Sequence, residues 1–434
     1  MAILFEHVTV LTMDGARVPL KDAFVAVEGE RIARVGRERP QGRFDRVIDG
    51  TGKLLLPGFV NAHTHLPMTL LRGYGGGHDL HTWLNDHIFP VEAKLDDRAV
   101  AAGAALGIAE MIATGVTCVA DMYMHTGVIA EQLAAAGLSA NLSSGGVYFG
   151  APEEFDPDGN NDCRILRELT ERWHGYDDGR LRADASIHAE YTSNPPLWRW
   201  MGAFAREHGL RMHAHVSETR AEHEACLARY GVTPFRALDE AGAWDNGGIA
   251  AHCVYTTPED WARMAERGVS CVHNPWSNLK LGSGIAPAAR LRAAGVNVAL
   301  GSDGMSSHNA ADFFSDMKLA AALACGTACD AVAMGAWDAL EMATVNGAKA
   351  LGRDDTGTVA PGKYADLILV DAQALNMTPC HEPAENIVYS GRPSNVVMNM
   401  ARGRVIYENG AFITVDVDHA LREMKDHALP LLFG

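Results

Sequence analysis

The sequence predicts a (β/α)8 barrel joined to a small β-sandwich built from both chain ends. Three observations predict it. Between about residues 58 and 357, eight short apolar strands alternate with alanine-rich helical patterns. Both ends of the chain are β-rich instead, and neither is long enough for a core of its own. Polar residues, most of them histidines, collect where the central strands run out. The expected division is residues 1–57 plus 358–434 for the small domain and 58–357 for the barrel.

The N-terminal part alternates short strands with turns. FVAVEGERIARVG (24–36) reads as two strands around a glycine turn, and the segment closes at LLLPG (54–58). The barrel strands follow as FVNAHTH (59–65), GVTCVADMY (115–123), LSANLSSGGVYF (138–149) and ADASIHAEY (183–191). LRMHAHVSE (210–218), GIAAHCVY (248–255), GVSCVHNPW (268–276) and NVALGSDG (297–304) complete the eight. RAVAAGAALGIAEMIATG (98–115) and PEDWARMAERG (258–268) are typical of the helical patterns between them. YADLILVDA (364–372) and VVMNMARGRVIYENGAF (396–412) return to strand character, and VDHALREMKDHALPLL (417–432) reads as a terminal helix. An open doubly wound sheet is the alternative fold. It needs a phosphate-type glycine turn after the first strand, and GYGGGHD (73–79) is not G-x-G-x-x-G and has no Walker lysine after it.

Bulk properties narrow the function. Hydrophobic residues at 47% and charged residues at 21% describe an ordinary globular enzyme. A formal net charge of −17 argues against nucleic acid or an anionic membrane as partner, since both need basic patches. The start, MAILFEHVTVLTMDG, has neither a basic leader nor a long apolar core, so no signal peptide is expected. No apolar run is long enough to span a bilayer. The cysteines (Cys118, Cys163, Cys226, Cys253, Cys271, Cys325, Cys329 and Cys380) form no C-x-x-C pair, which suits reduced thiols in the cytoplasm. Homo-oligomerisation is left open.

The chemistry of a (β/α)8 barrel sits at the C-terminal ends of its strands. There the sequence places His63 and His65 on the first strand and His188 on the fourth. The fifth carries His213 and His215, with Glu218 three residues later. His252, His273 and Asp303 follow on the last three. Residues i and i+2 of a strand share a face, so His63 and His65 should both point into the barrel mouth. Imidazoles and a carboxylate suit one divalent metal ion, zinc first and ferrous iron second. His63, His65, His215 and Asp303 would give three nitrogens and one oxygen. A metal with a position left for water makes that water a nucleophile near neutral pH. A lone strand-end histidine is more often a hydrogen-bonded structural residue. That reading is kept for His273 and His81, while His213, deeper in its strand, reads as packing or as support for a ligand.

PGFVNAHTHLPMTLLRG, HAHVSET, AAHCV, VHNPWSNLKLGSGIAP and LGSDG resemble the amidohydrolase superfamily. Within it they are similar to the branch of 5′-methylthioadenosine/S-adenosylhomocysteine deaminases and the related triazine hydrolases. The resemblance spans nearly the whole chain. It implies a metal-dependent deaminase of adenine nucleosides, acting on 5′-methylthioadenosine, S-adenosylhomocysteine, 5′-deoxyadenosine or adenosine. By position it implies His63, His65, His215 and Asp303 as metal ligands. Glu218 matches the acid that protonates the ring nitrogen, and His252 the residue that orients the attacking group. Asp303 also matches the group that takes its proton. Glu92 matches the glutamate that holds ribose hydroxyls, Trp83 an aromatic wall, and His188 a further substrate-binding histidine. Without the resemblance, Glu92 would read as a solvated helix charge and Trp83 as core packing. The chemistry is consistent, because hydrolytic deamination needs a nucleophile and protons for the ring nitrogen and the leaving amine. A pocket glutamate with a raised pKa can supply such a proton, and an ionised carboxylate suits a vicinal diol.

The chain departs from the branch in two places. Of the two arginines that take a homocysteine carboxylate, the first falls where this chain reads Leu142-Ser143-Ser144, with no arginine, and the second near Asp162-Cys163-Arg164, where Arg164 is an approximate match. Losing a bidentate arginine favours smaller 5′ groups. Ser307-His308-Asn309 replaces a pair of asparagines, which makes His308 a candidate for local specificity. Other motifs fail. His188-Ala189-Glu190 lacks the P-C-x-x-C of cytidine deaminases, and Leu227 breaks the zincin pattern begun at His223-Glu224. The fourth strand has no lysine to bridge two metals. The rivals are a deaminase or hydrolase of another amino-heterocycle (guanine, a pterin or an s-triazine) and a non-catalytic binding barrel.

Overall fold

A computed structural model describes residues 1–434. Five strands open the chain: β1 (Ala2–Val10), β2 (Leu20–Glu28), β3 (Arg31–Gly36), β4 (Arg46–Asp49) and β5 (Lys53–Pro57). The barrel strands are β6 (Phe59–Thr64), β7 (Val116–Met122), β8 (Ser139–Ser143), β9 (Leu181–Ala183), β10 (Ala185–Ile187), β11 (Met212–Val216), β12 (Gly248–His252), β13 (Val269–His273) and β14 (Val298–Leu300). Four more follow: β15 (Leu367–Asp371), β16 (Val396–Ala401), β17 (Arg404–Glu408) and β18 (Ala411–Phe412).

The first five and last four strands form one sheet in the order β18-β17-β16-β15-β5-β1-β2-β3, with β4 on β1. The antiparallel pairing of β5 with β15 joins the two chain ends, Leu55 opposite Leu369. Ile3, Phe5 and Val25 from one half meet Leu367, Leu369 and Met400 from the other in a single core, the interior of the sandwich. The alternate side chains face the other way. Leu54, Leu56, Ile368 and Val370 belong to the large core of the barrel, so the strand period of two splits the sheet between two cores.

The barrel strands are parallel and buried along their length, which is why they read as apolar runs without alternation. The fourth strand is interrupted at Asp184, giving β9 and β10, but Asp184 N–H still bonds the Leu142 carbonyl and Ala185 N–H the Arg211 carbonyl. The third strand is shorter than the sequence suggests. It ends as a continuous strand at Ser143, Gly146 still bridges Ile187 of β10, and Ser144, Gly145, Val147 and Phe149 line the barrel mouth. The ring closes from β14 to β6 through Asp303 N–H to the His63 carbonyl at 3.0 Å. Val60, Ala62, Cys118, Ile249, Val272 and Ala299 fill the interior below, capped by Ala348 and Leu351. Capped helices cover the outside. In that of Asp97–Thr114, the Asp96 carboxylate accepts from Ala99 N–H and Gly115 ends the helix at φ +95°.

Candidate active site

The interior is filled by Val60 and Ala62 of β6, so strict alternation would send His63 outward. The register of β6 against β7 shifts between Asn61 and Thr64, and within that shift His63 turns to face His65 and Asp303 beneath the mouth. The structure thus brings His63 and His65 together, but by a bulge rather than by simple alternation. Their ring centroids are 4.9 Å apart, and His63 is 4.9 Å from His215 and 5.5 Å from His252. Asp303 Oδ1 is 3.1 Å from His65 Nε2 and 3.4 Å from His63 Nε2. Two sets with ligand atoms within 4.8 Å of one another overlap at His63. They are His63, His65 and Asp303, and His63, His215 and His252.

Each imidazole is held by its Nδ1 side. His65 Nδ1–H donates to the Met122 carbonyl, and His215 Nδ1–H to the His188 carbonyl at 2.6 Å. His252 Nδ1 is 2.7 Å from Asn278 Oδ1, and His63 Nδ1 is 2.8 Å from His213 Nε2. Acceptors on Nδ1 fix the tautomer whose Nε2 lone pair faces the mouth. His63 Nε2 is buried with no hydrogen-bond partner, the condition a cation would relieve. Asp303 Oδ2 accepts from Ser277 Oγ at 2.5 Å and Ser307 Oγ at 2.9 Å, which leaves Oδ1 to the histidines. Gly301 permits the close approach, because a Cβ there would sit 2.9 Å from His63 Cβ.

Burial lowers the pKa of His63 and His188 to about 4, so both are neutral, the form that binds metals. Burial works against ionisation of both members of the His65–Asp303 pair, but their contact outweighs it. His65 rises to about 9 and Asp303 falls well below the carboxylate range. A divalent ion would compete with that proton for the same lone pair.

Glu218 follows β11 at a turn where Ser217 takes φ +49°. Glu222 secures the turn by accepting from Ser217 N–H at 2.8 Å and Glu218 N–H at 2.7 Å. Glu218 Oε1 accepts from Ser283 Oγ at 3.1 Å, and Oε2 lies 3.7 Å from His252 Nε2. Burial pushes its pKa up.

Above these residues lies a cavity of about 500 Å³, within the range of small-molecule sites. His65, His215, Glu218, His252 and Asp303 form its floor, and Trp83, Glu92 and His188 line it as well. Trp83 is both packed and lining, at 4% exposed. Glu92 is buried too. Tyr123 Oη donates to its Oε1 at 2.5 Å, and burial raises its pKa. His188 Nδ1 is 3.0 Å from Thr192 Oγ1.

Four other positions fall outside the cavity. His213 backs His63 from below, and His273 is buried away from the mouth. Arg164 is exposed and donates to Asn161 Oδ1 at 2.5 Å. His308 turns to Asp316, with Nε2 3.2 Å from Oδ1, so Ser307 rather than His308 meets the cavity. Sequence reasoning passed over Tyr123, although it closes the second strand, and Ser277 and Asn278, although both lie in the motif HNPWSNLK. It also passed over Asp162 as a lining residue.

Comparison with known proteins gives consistent results. The sequence profile of the amidohydrolase family matches residues 54–406. A 5′-deoxyadenosine deaminase of Methanothermobacter thermautotrophicus is 40% identical, over 94% of this chain and 95% of its own. A 5-methylthioadenosine/S-adenosylhomocysteine deaminase of Thermoanaerobacter pseudethanolicus is 36% identical over the full length of both. A crystal structure of an adenosine deaminase from Xanthomonas campestris with bound zinc superposes with a TM-score of 0.92 at 35% identity, covering 99% of this chain and 98% of that one.

Proposed function

This chain belongs to the amidohydrolase family, and from that premise we propose that it is a metal-dependent hydrolytic deaminase of adenine nucleosides. The observation that carries the reading is one cluster of four imidazoles, His63, His65, His215 and His252, with Asp303 among them and Glu218 beside it, beneath a cavity that also holds Glu92. The relatives named above, deaminases of 5′-deoxyadenosine, 5-methylthioadenosine, S-adenosylhomocysteine and adenosine, support it.

His63, His65, His215 and Asp303 would hold one divalent ion. Imidazole-rich sites with a single carboxylate suit zinc, and ferrous iron is the second choice. When bound, the ion supplies a Lewis acid that lowers the pKa of water. The protein's own residues do the rest. Glu218, raised by burial, holds a proton for the ring nitrogen of the base. His252, fixed by Asn278, presents Nε2 towards the floor and orients the attacking oxygen. Asp303 accepts the proton released there and passes it to the leaving amine. Glu92 accepts from the ribose hydroxyls through the oxygen that Tyr123 leaves free. Trp83 and His188 bound the base and sugar. The products are the inosine analogue and ammonia. Residues 58–357 form the catalytic unit in this reading, and 1–57 with 358–434 the supporting one.

Ammonia release by zinc-loaded protein tests it, with adenosine, 5′-deoxyadenosine, 5′-methylthioadenosine and S-adenosylhomocysteine as substrates and guanine as control. Turnover of the nucleosides with loss of the adenine absorbance is expected. No turnover of any of them by protein with bound metal would overturn the nucleoside assignment and leave other amino-heterocycles.

A further inference from the structure

The cavity has no lysine or arginine of its own, while four carboxylates line it: Glu92, Asp162, Glu218 and Asp303. Three of these have work in the reading above. Asp162 has none. It stands at the start of the helix Asn161–Trp173, against the loop 144–149 that replaces the end of the third strand. That wall comes from other elements than the histidine floor and the segment that carries Trp83 and Glu92.

The carboxylate is placed with care. Its Oδ2 accepts from Val147 N–H at 2.9 Å. It has no ion-pair partner. Arg164 faces solvent, and Arg167 is 2.8 Å from Asp158. Burial without a cation raises its pKa. An acceptor so held, at a cavity wall and uncompensated, favours a donor on the ligand and repels an anion.

With the base over the floor and the ribose diol on Glu92, the 5′ end of a nucleoside is directed to the wall that remains. We propose that Asp162 is a specificity residue that selects the 5′ substituent, accepting a hydrogen bond from a hydroxyl or ammonium and turning away a carboxylate or phosphate. The inference rests on the nucleoside reading above and deepens it. Adenosine and 5′-amino-5′-deoxyadenosine are then the favoured substrates. 5′-Deoxyadenosine, with no polar tail, is the neutral reference, and adenosine 5′-monophosphate is disfavoured, while S-adenosylhomocysteine, whose tail carries an ammonium beside its carboxylate, lies between.

The test is kcat/KM of the zinc-loaded enzyme on these five compounds, for wild type, Asp162→Asn and Asp162→Arg. Each value is divided by that for 5′-deoxyadenosine, so that a general folding or metal defect cancels. In wild type the amino compound should exceed the reference by at least about tenfold, the worth of a hydrogen bond to a charged group. Asp162→Asn should remove most of that preference. Asp162→Arg should reverse it, raising adenosine 5′-monophosphate by at least about tenfold relative to the reference. Ratios that do not move in either variant would overturn the role of Asp162 while leaving the deaminase reading intact. Failure of wild type on 5′-deoxyadenosine and adenosine alike would overturn both. Direct titration of 5′-amino-5′-deoxyadenosine into each variant supplies a second readout, and equal affinities would count against the proposal.

Discussion

At the scale of single residues, the site depends on side chains that never face the cavity. His213 is the clearest. Its Nε2 lies 2.8 Å from His63 Nδ1, and it is the only partner of that nitrogen. Removing such a support costs roughly 10–100-fold in metal affinity. His213→Ala should therefore bind zinc that much more weakly, while His213→Gln, which keeps an acceptor, should lose less. Competition with a chromophoric chelator measures both, and equal affinities in all three proteins would refute the role. Tyr123, which itself lines the cavity, supports Glu92 through its hydroxyl. Tyr123→Phe should raise KM for adenosine roughly three- to tenfold, the value of one buried hydrogen bond, with little change in kcat. A fall in kcat at constant KM would place Tyr123 elsewhere in the mechanism. The histidines and Asp303 were legible in the sequence because strand ends are few and polar residues there are conspicuous. Asp162 was not, because whether a helix-start carboxylate faces solvent or a cavity depends on a loop with no signature.

At the scale of elements, the strand period explains most of what the sequence revealed and one thing it misread. Every barrel strand was visible as a short apolar run. The bulge in β6 was not, because a register shift depends on the neighbouring strand and leaves no mark on residues 61–64 themselves. The third strand was read too long for a related reason. Val147 and Tyr148 have strand-like chemistry, but Gly145 at φ +74° interrupts the ladder, and only a single bridge at Gly146 follows. The seam between the sandwich and the barrel is also set by contacts remote in sequence. Arg17, before β2, reaches Asp338 at 2.7 Å and Glu341 at 2.7 Å, and Arg292 meets Asp338 from the other side at 2.7 Å. Burial opposes ionisation of Asp338, but Arg292, the Gly335 N–H and Arg17 outweigh it, and its pKa falls to about 2. A carboxylate depressed by folding adds stability that is fully present above its unfolded pKa and is lost as pH falls through the folded one. Wild type should thus exceed Asp338→Asn in unfolding free energy at pH 6, by at most about 1 kcal/mol once solvent screening of this partly covered cluster is counted. The gap should close between about pH 4 and pH 2. Urea melts across that range measure it, and a gap independent of pH would mean that packing, not charge, holds the seam.

At the scale of the molecule, the chain ends serve the site from a distance. The final helical stretch, Val417–Phe433, runs beside the helix Asp97–Thr114 and joins it through Arg98–Glu423. His427 Nε2 lies 2.9 Å from Asp96 Oδ2. Its last turns then touch both ends of the segment that carries Trp83 and Glu92. Phe433 packs on Tyr74 with ring centroids 5.0 Å apart, and Lys94 Nζ donates to the Leu432 carbonyl at 2.8 Å. Between those two anchors the segment begins with the glycines 75, 76 and 77, and it meets the barrel strands through Tyr123 Oη on Glu92. The histidine floor has no contact with this helix and is held by β6, β11, β12 and the turn after β14. The two parts of the site are therefore separable. Deleting residues 429–434 should leave zinc content at the wild-type level while KM for adenosine rises roughly three- to tenfold, the range of one lost hydrogen bond and one aromatic contact. Metal analysis alongside steady-state kinetics distinguishes the outcomes. Loss of zinc on truncation would mean that the helix stabilises the whole barrel. An unchanged KM would mean that the Trp83–Glu92 segment keeps its place without the chain end. The predicted split, metal retained and substrate affinity reduced, follows only if the terminal helix acts through Tyr74 and Lys94 on the wall of the cavity.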